Sequence, residues 1–175
     1  SGMYGAGIYN AGTMGVTNCL LYGNWLQYAS GNDPYEHGDG IYSSGNLSLQ
    51  NCTVVYNGNK GIERGAGNLT LDSSIVWGNI TDTTGVVSCA YSTLSNAGAQ
   101  ALLTNCIAAD PLFVAAISNN YRLTKSSPCR DAGTTGLWMR GTFDLYGNSR
   151  FQGGRVDIGA CELPGLPLGI VISIR

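Results

Sequence analysis

The chain repeats itself. The stretch GNLSLQNCTVVYNGN, residues 45–59, is followed by GNLTLDSSIVWGN, residues 67–79, which starts 22 residues later. Both run Gly-Asn-Leu, alternate, reach an apolar triplet and close on Asn. An earlier copy, GTMGVTNCLLYGN at 12–24, begins 33 residues before Gly45, and the excess sits in one polar insertion running from Gln27 to Gly40. A unit of 22 residues holds two or three short strands and cannot bury its apolar face alone. Successive units must bury it against one another.

Aligning the copies produces rows. Met14, Leu47 and Leu69 share one, Val16, Leu49 and Leu71 the next, and Leu21, Val54 and Val76 a third, with polar rows such as Thr17, Gln50 and Asp72 between them. This is the period-two pattern of strands with one buried face. Gly-Asn, Asn-Gly and Gly-x-Gly pairs supply the turns. Asn18, Asn51 and Ser73 are expected to form a ladder at one turn, hydrogen-bonding along the axis, with Cys19, Cys52 and Ser74 as the next row. The expected fold is all-β, a parallel β-helix. A β-sandwich gives no reason for in-register rows between neighbouring repeats.

Composition agrees with a folded chain: 43% hydrophobic, 11% charged and 26 Gly. A net charge of −2 offers no global attraction to nucleic acid or an anionic membrane. No stretch approaches the roughly 20 apolar residues of a membrane helix. Six of the nine Lys and Arg residues lie between Arg122 and Arg155, which reads as the ion pairs of a capping segment. The opening SGMYGAGIYNAG already reads as coil, so the chain is expected to be a mature protein or a piece of a longer one.

The coil pattern GIYSSGNLSLQNCTVVYNGNKG resembles right-handed parallel β-helix proteins of the pectate-lyase-like group. The second half resembles the C-terminal part of bacterial surface proteins called choice-of-anchor Q domain proteins. The matching elements are Asp110-Pro111-Leu112-Phe113, Tyr121-Arg122-Leu123, Ser127-Pro128-Cys129, Asp131-Ala132-Gly133 and Asp157-Ile158-Gly159-Ala160-Cys161-Glu162. The resemblance implies export to the extracellular space or cell surface, a right-handed solenoid and no settled activity. The division expected is coils over 1–109, a C-terminal coil and irregular cap over 110–162, and an apolar tail over 163–175.

Six cysteines in an exported protein invite disulfides. Cys89 and Cys106 flank an irregular coil, and Cys129 and Cys161 bracket the terminal motifs. Both pairs are expected as bridges that staple the irregular region, while Cys19 and Cys52 are expected as small buried thiols rather than a third bridge.

Charge is densest in NDPYEHGDG and NKGIERG. Aligning Gly40 with Gly61 puts Asp39 directly over Lys60 in the next coil. A saccharide-processing cleft here would take Lys60 or Arg64 as base and Asp33, Glu36 and Asp39 as Ca²⁺ ligands, giving a polysaccharide lyase; a hydrolase would need two carboxylates at a set separation. The plainer reading is a cross-coil ion pair, since a facing Asp favours the charged form of a lysine. That reading makes the chain non-catalytic and without a cofactor, and leaves His37, the lone histidine, exposed on its Gly-rich loop.

Leu20, Thr53 and Ile75 share an outward row, as do Tyr22, Val55 and Trp77. Outward apolar rows require a partner. A covering loop or the C-terminal tail comes first, then a subunit contact, then sugar rings stacked on Tyr22 and Trp77. A β-helix also has open strand edges at its ends. The strand-like tail carrying Ile170, Val171 and Ile172 is expected to cover the chain's own wall or add to a neighbour's edge. The expected partners are therefore further copies, in an oligomer or head-to-tail filament, or an extracellular polysaccharide.

Overall fold

The computed structural model describes residues 7–25, 39–85, 87–95, 101–152 and 154–164. Asp33, Glu36, His37, Ile170, Val171 and Ile172 lie outside the described residues. The chain winds in coils of three strands. The first holds β1 (Ile8–Asn10), β2 (Thr13–Thr17) and β3 (Leu20–Tyr22). The second holds β4 (Ile41–Ser43), β5 (Asn46–Gln50) and β6 (Thr53–Val55). The third holds β7 (Lys60–Arg64), β8 (Leu69–Asp72) and β9 (Ile75–Trp77). The fourth holds β10 (Thr81–Thr84), β11 (Val87–Ala90) and β12 (Thr93–Leu94), and β13 (Ala101–Thr104) begins the fifth.

Corresponding strands pair in parallel, so the coils form three sheets ordered β1-β4-β7-β10, β2-β5-β8-β11-β13 and β3-β6-β9-β12. This is a parallel β-helix. Register follows the repeat: Val16 pairs with Leu49, Leu49 with Leu71, and Leu71 with Cys89. Leu21, Val54, Val76 and Leu94 form an equivalent interior row, as do Ile8, Ile41 and Ile62. These rows form the first core cluster. Each fully buried Leu, Ile or Val contributes about 1.5–3 kcal/mol, which is why the rows set the register.

The corner between the second and third sheets is built from left-handed residues, one per coil: Asn18, Asn51, Ser73, Tyr91 and Asn105, with φ between 48° and 57°. Asn tolerates this conformation better than most residues. At the following position Cys19, Cys52, Ser74 and Ser92 each donate back to the carbonyl two residues earlier, at 2.8–3.3 Å. The hydrogen-bonded Asn ladder runs along the opposite corner, not this one. There Asn24 Nδ2 donates to Asn57 Oδ1 (2.8 Å), Asn57 Nδ2 to Asn79 Oδ1 (3.1 Å) and Asn79 Nδ2 to Asp82 Oδ1 (3.1 Å). Ser95 closes it, giving Asp82 Oδ2 both its amide and its hydroxyl at 2.6 Å. These are the Asn residues that end each repeat.

The irregular C-terminal segment caps the solenoid from its side. After a bridge from Ile107 to Thr93 it forms an antiparallel pair, β14 (Phe113–Ala115) and β15 (Asn120–Leu123), joined by a 3-10 turn at Ala116–Ser118. It then runs along the left-handed corner. Thr134 N and Gly159 N bond to Ser73 in the third coil, Asn51 Nδ2 to Asp157 O in the second, and Asn18 Nδ2 to Phe143 O in the first. No helix among the described residues is long and apolar enough to cross a membrane.

Candidate functional site

The outward apolar rows are covered by the chain itself. Val55 and Ile75 are buried beneath Tyr121 and Leu123, and together with Cys129 and Ile158 these residues form the second core cluster. Trp77 and Phe113 pack against that cluster, half-buried. Thr53, also in the outward rows, accepts a 2.9 Å bond from Ala160 N. Val55 and Trp77 are therefore core residues, because burying an outward apolar row within the chain gains its full transfer energy with no cost of association. Tyr22 alone of that row stays largely open, at 42% exposure, against the ring of Tyr121 5.2 Å away. The cover comes from residues before 163, so the described chain already supplies what the tail was expected to do.

The motifs of the second half are the fastenings of this layer. Arg150, fully buried, donates from Nη1 to Glu162 Oε1 (2.5 Å), from Nη2 to Gly159 O (2.7 Å) and Asn51 O (3.3 Å), and from Nε to Asn18 Oδ1 (3.1 Å). Asp157 accepts from the amides of Asp131 and Leu163, both at 2.7 Å, and Ser127 Oγ donates to Pro111 O at 2.6 Å. Asp144 takes the amides of Tyr146, Asn148 and Glu162 at 2.7–2.8 Å. Burial, then the Asp157 carboxylate, push Glu162 up to about 8 against the pull of Arg150. Burial likewise raises Asp157. The sequence places Arg150 among the ion pairs of the capping segment, and it pairs there with Glu162; its complete burial has no mark in the sequence.

The charged cluster is brought together and used for structure. Gly40 N donates to Lys60 O at 3.0 Å, so Asp39 does lie over Lys60 as the repeat requires. The Asp39 carboxylate, buried, takes the amide hydrogen of Asn59. Lys60 Nζ pairs with Glu63 along its own strand at 2.9 Å. Arg64 Nη1 closes the next turn on Gly67 O at 2.8 Å. A general base must be free to receive a proton from substrate. Lys60 is instead held by Glu63 and Arg64 Nη1 by Gly67 O, while Arg64 Nε is buried without a partner. Among the described residues no group of three or more His, Cys, Asp or Glu is arranged to hold a metal ion.

The cysteines are thiols, and the pairing expected from spacing holds only as proximity for one pair. Cys89 and Cys106 stand sulfur to sulfur at 2.8 Å, unbridged. The expected bridge from Cys129 to Cys161 is not made: the Cys129 sulfur lies 3.2 Å from Thr93 Oγ1, within the second cluster. Burial raises Cys129, and raises Cys161 to about 12 with help from Asp144. The two residues bracket the covering layer in sequence, but each is buried within it as a small apolar side chain. Cys19 and Cys52 are also unbridged, and burial pushes Cys52 up to about 11.

The first coil differs from those behind it. Ile8, Cys19 and Leu21 are only partly buried, whereas their counterparts Ile41, Cys52 and Val54 are fully buried. Together with Val16 and Tyr22 they line an open cavity of about 380 Å³ at the N-terminal face. Among the described strands, β1, β2 and β3 each stand at the edge of their sheet.

Comparison with protein-family models, with curated proteins and with solved structures finds no match.

Proposed function

We propose that this chain is a non-catalytic structural solenoid of an exported bacterial surface protein, and that it self-associates by seating another copy on its first coil. The observation that carries the reading is the open interior of that coil. Ile8, Val16 and Leu21 present the same rows that each later coil covers with its neighbour. The occupant follows from continuity with the interface between coils. A second copy placed with its β13 beside β2 extends the second sheet in parallel, in the direction already running through the chain. Such a contact is heterologous and does not close, so it makes filaments. Export and surface location are supported by the terminal motifs and the resemblance they carry. The engagement of Asp39, Lys60 and Arg64 in turns and ion pairs supports a role without catalysis.

Electron microscopy and sedimentation of the purified chain over a range of concentrations test this. Filaments that disappear in Ile8→Lys and Leu21→Lys variants are expected. A wild-type chain that remains monomeric at every concentration overturns the reading.

A second reading, glycan binding, rests on the aromatic strip that the covering layer leaves in the open. Tyr22, Tyr56 and Tyr146 are each about two-fifths exposed, Tyr56 stacks on Tyr121 at 5.9 Å, and Arg122 lies 3.8 Å over the Tyr146 ring. Stacking faces and a guanidinium suit sugar rings. Tyr56→Ala should weaken binding to any glycan retained by the wild type, and unchanged affinity removes this strip from consideration.

A further inference from the structure

We propose that Cys106 and Cys89 form a two-thiol oxidation site, in which the Cys106 sulfur attacks a small-molecule disulfide and Cys89 resolves the adduct, tying the fourth coil to the fifth. The repeat itself creates the pair. Cys106 follows the left-handed Asn105 and so takes the corner position held by Cys19, Cys52, Ser74 and Ser92 in earlier coils. Cys89 takes the interior position held by Val16, Leu49 and Leu71. In the second coil the same relation puts the Cys52 sulfur 3.3 Å from the backbone oxygen of Val16. Between the fourth and fifth coils it puts sulfur against sulfur at 2.8 Å.

The two sulfurs are not equivalent. Cys89 is 1% exposed, while Cys106 is half-buried and open to a reagent. The other corner side chains spend their hydrogen on the carbonyl two residues back, but for Cys106 that contact is 3.6 Å, the longest of the row. In the 2.8 Å contact with Cys89 either sulfur can donate, and that contact does most to hold Cys106 down to about 6. The same thiol contact, with burial, pushes Cys89 up. A thiolate is the nucleophile in thiol–disulfide exchange, and a buried neighbour is suited to attack second.

The balance is as follows. Cys106 S⁻ attacks one sulfur of a disulfide RSSR, forming a mixed disulfide and releasing RS⁻. Cys89 gives its proton to water, attacks the Cys106 sulfur and expels the second RS⁻. The two protein thiols lose two electrons between them, and the reagent gains them. Of the other cysteines, Cys52, Cys129 and Cys161 are buried with their thiols pushed up, and the half-buried Cys19 donates its hydrogen to Thr17 O at 3.2 Å.

The test uses the full chain, reduced, desalted and exposed to oxidised glutathione at neutral pH. Wild type should lose two hydrogens in mass and yield a peptide linking Cys89 to Cys106. Cys89→Ser should accumulate a glutathione adduct on Cys106, and Cys106→Ser should carry none on Cys89. An adduct on Cys89 in the Cys106→Ser variant, or a wild type that stays reduced, overturns the proposal. A second measurement needs no variant: brief alkylation of the native reduced chain should label Cys106 at least about tenfold faster than the buried cysteines. Equal labelling overturns the assignment of the attacking sulfur.

Discussion

Replacing Arg150 with alanine strikes the point where the covering layer is tied to the first two coils. The side chain is fully buried and makes four hydrogen bonds, one of them the 2.5 Å pair with Glu162. Above about pH 8, where the raised Glu162 is ionised, removing one partner of this buried ion pair leaves the other charge desolvated and unpaired, at a cost of about 3–5 kcal/mol. For a domain of this size each kcal/mol moves Tm by about 2–4 °C, so the midpoint should fall by about 6–20 °C. Trp77 lies half-buried against the cluster under the layer, so its fluorescence in urea reports loosening of that layer. The companion variant is Arg150→Ala with Glu162→Gln, which removes the stranded charge and should recover part of the loss. A loss below about 1 kcal/mol, the range of exposed ion pairs, would refute the reasoning. So would a double variant that recovers nothing.

Further expectations concern single sites. Gly159 has φ +101°, and an added Cβ would lie 2.7 Å from Ile75 Cδ1 and 2.8 Å from Thr53 Oγ1. Gly159→Ala should therefore cost about 1–3 kcal/mol in thermal unfolding. Glu162 and Asp157 both have folded values raised above their ordinary ones. The folded state thus holds protons more tightly, and the stability they contribute is full below the ordinary carboxylate range and is lost as pH rises through about 8 for Glu162. Melting curves between roughly pH 4 and pH 9 should show this decline, and Glu162→Gln should flatten it. Asn57→Ala breaks the middle rung of the Asn ladder, leaves Asn24 N and Nδ2 without their acceptor and Asn79 Oδ1 with the Asn57 amide alone, and should cost about 1–3 kcal/mol by urea unfolding.

The coils could be read from the sequence because their physics is periodic. Alternation at two residues and recurrence at 22 place Val16, Leu49 and Leu71 in one row before any coordinates exist, and the rows pair as aligned. The same alignment puts Asp39 over Lys60, and the backbone agrees. What side chains do at a corner is less legible. Asn18 and Asn51 look like a stack, yet they turn outward to Phe143 O and Asp157 O, because the left-handed corner offers its polar groups to the layer above. That layer has no period to read. Arg150 reaches Asn51 across 99 residues and Asn18 across 132, through single contacts that leave no repeating mark. Cys89 and Cys106, paired in the sequence because they flank an irregular coil, meet because both sit on repeat positions, whereas Cys129 and Cys161 belong to the aperiodic part, where spacing carries no geometry.

The Asn ladder has a direction. Each rung donates from one Asn to the next coil's side chain, while Asn57 Nδ2 and Asn79 Nδ2 also reach back to Leu21 O and Val54 O, and the run ends on the Asp82 carboxylate. The corner is thus a row of dipoles with its charge compensation built in at one end only. At the other end the described row begins with Asn24, so a coil stacked there meets an amide side chain rather than a carboxylate. The solenoid therefore carries an orientation that an incoming coil can read before any apolar surface is buried.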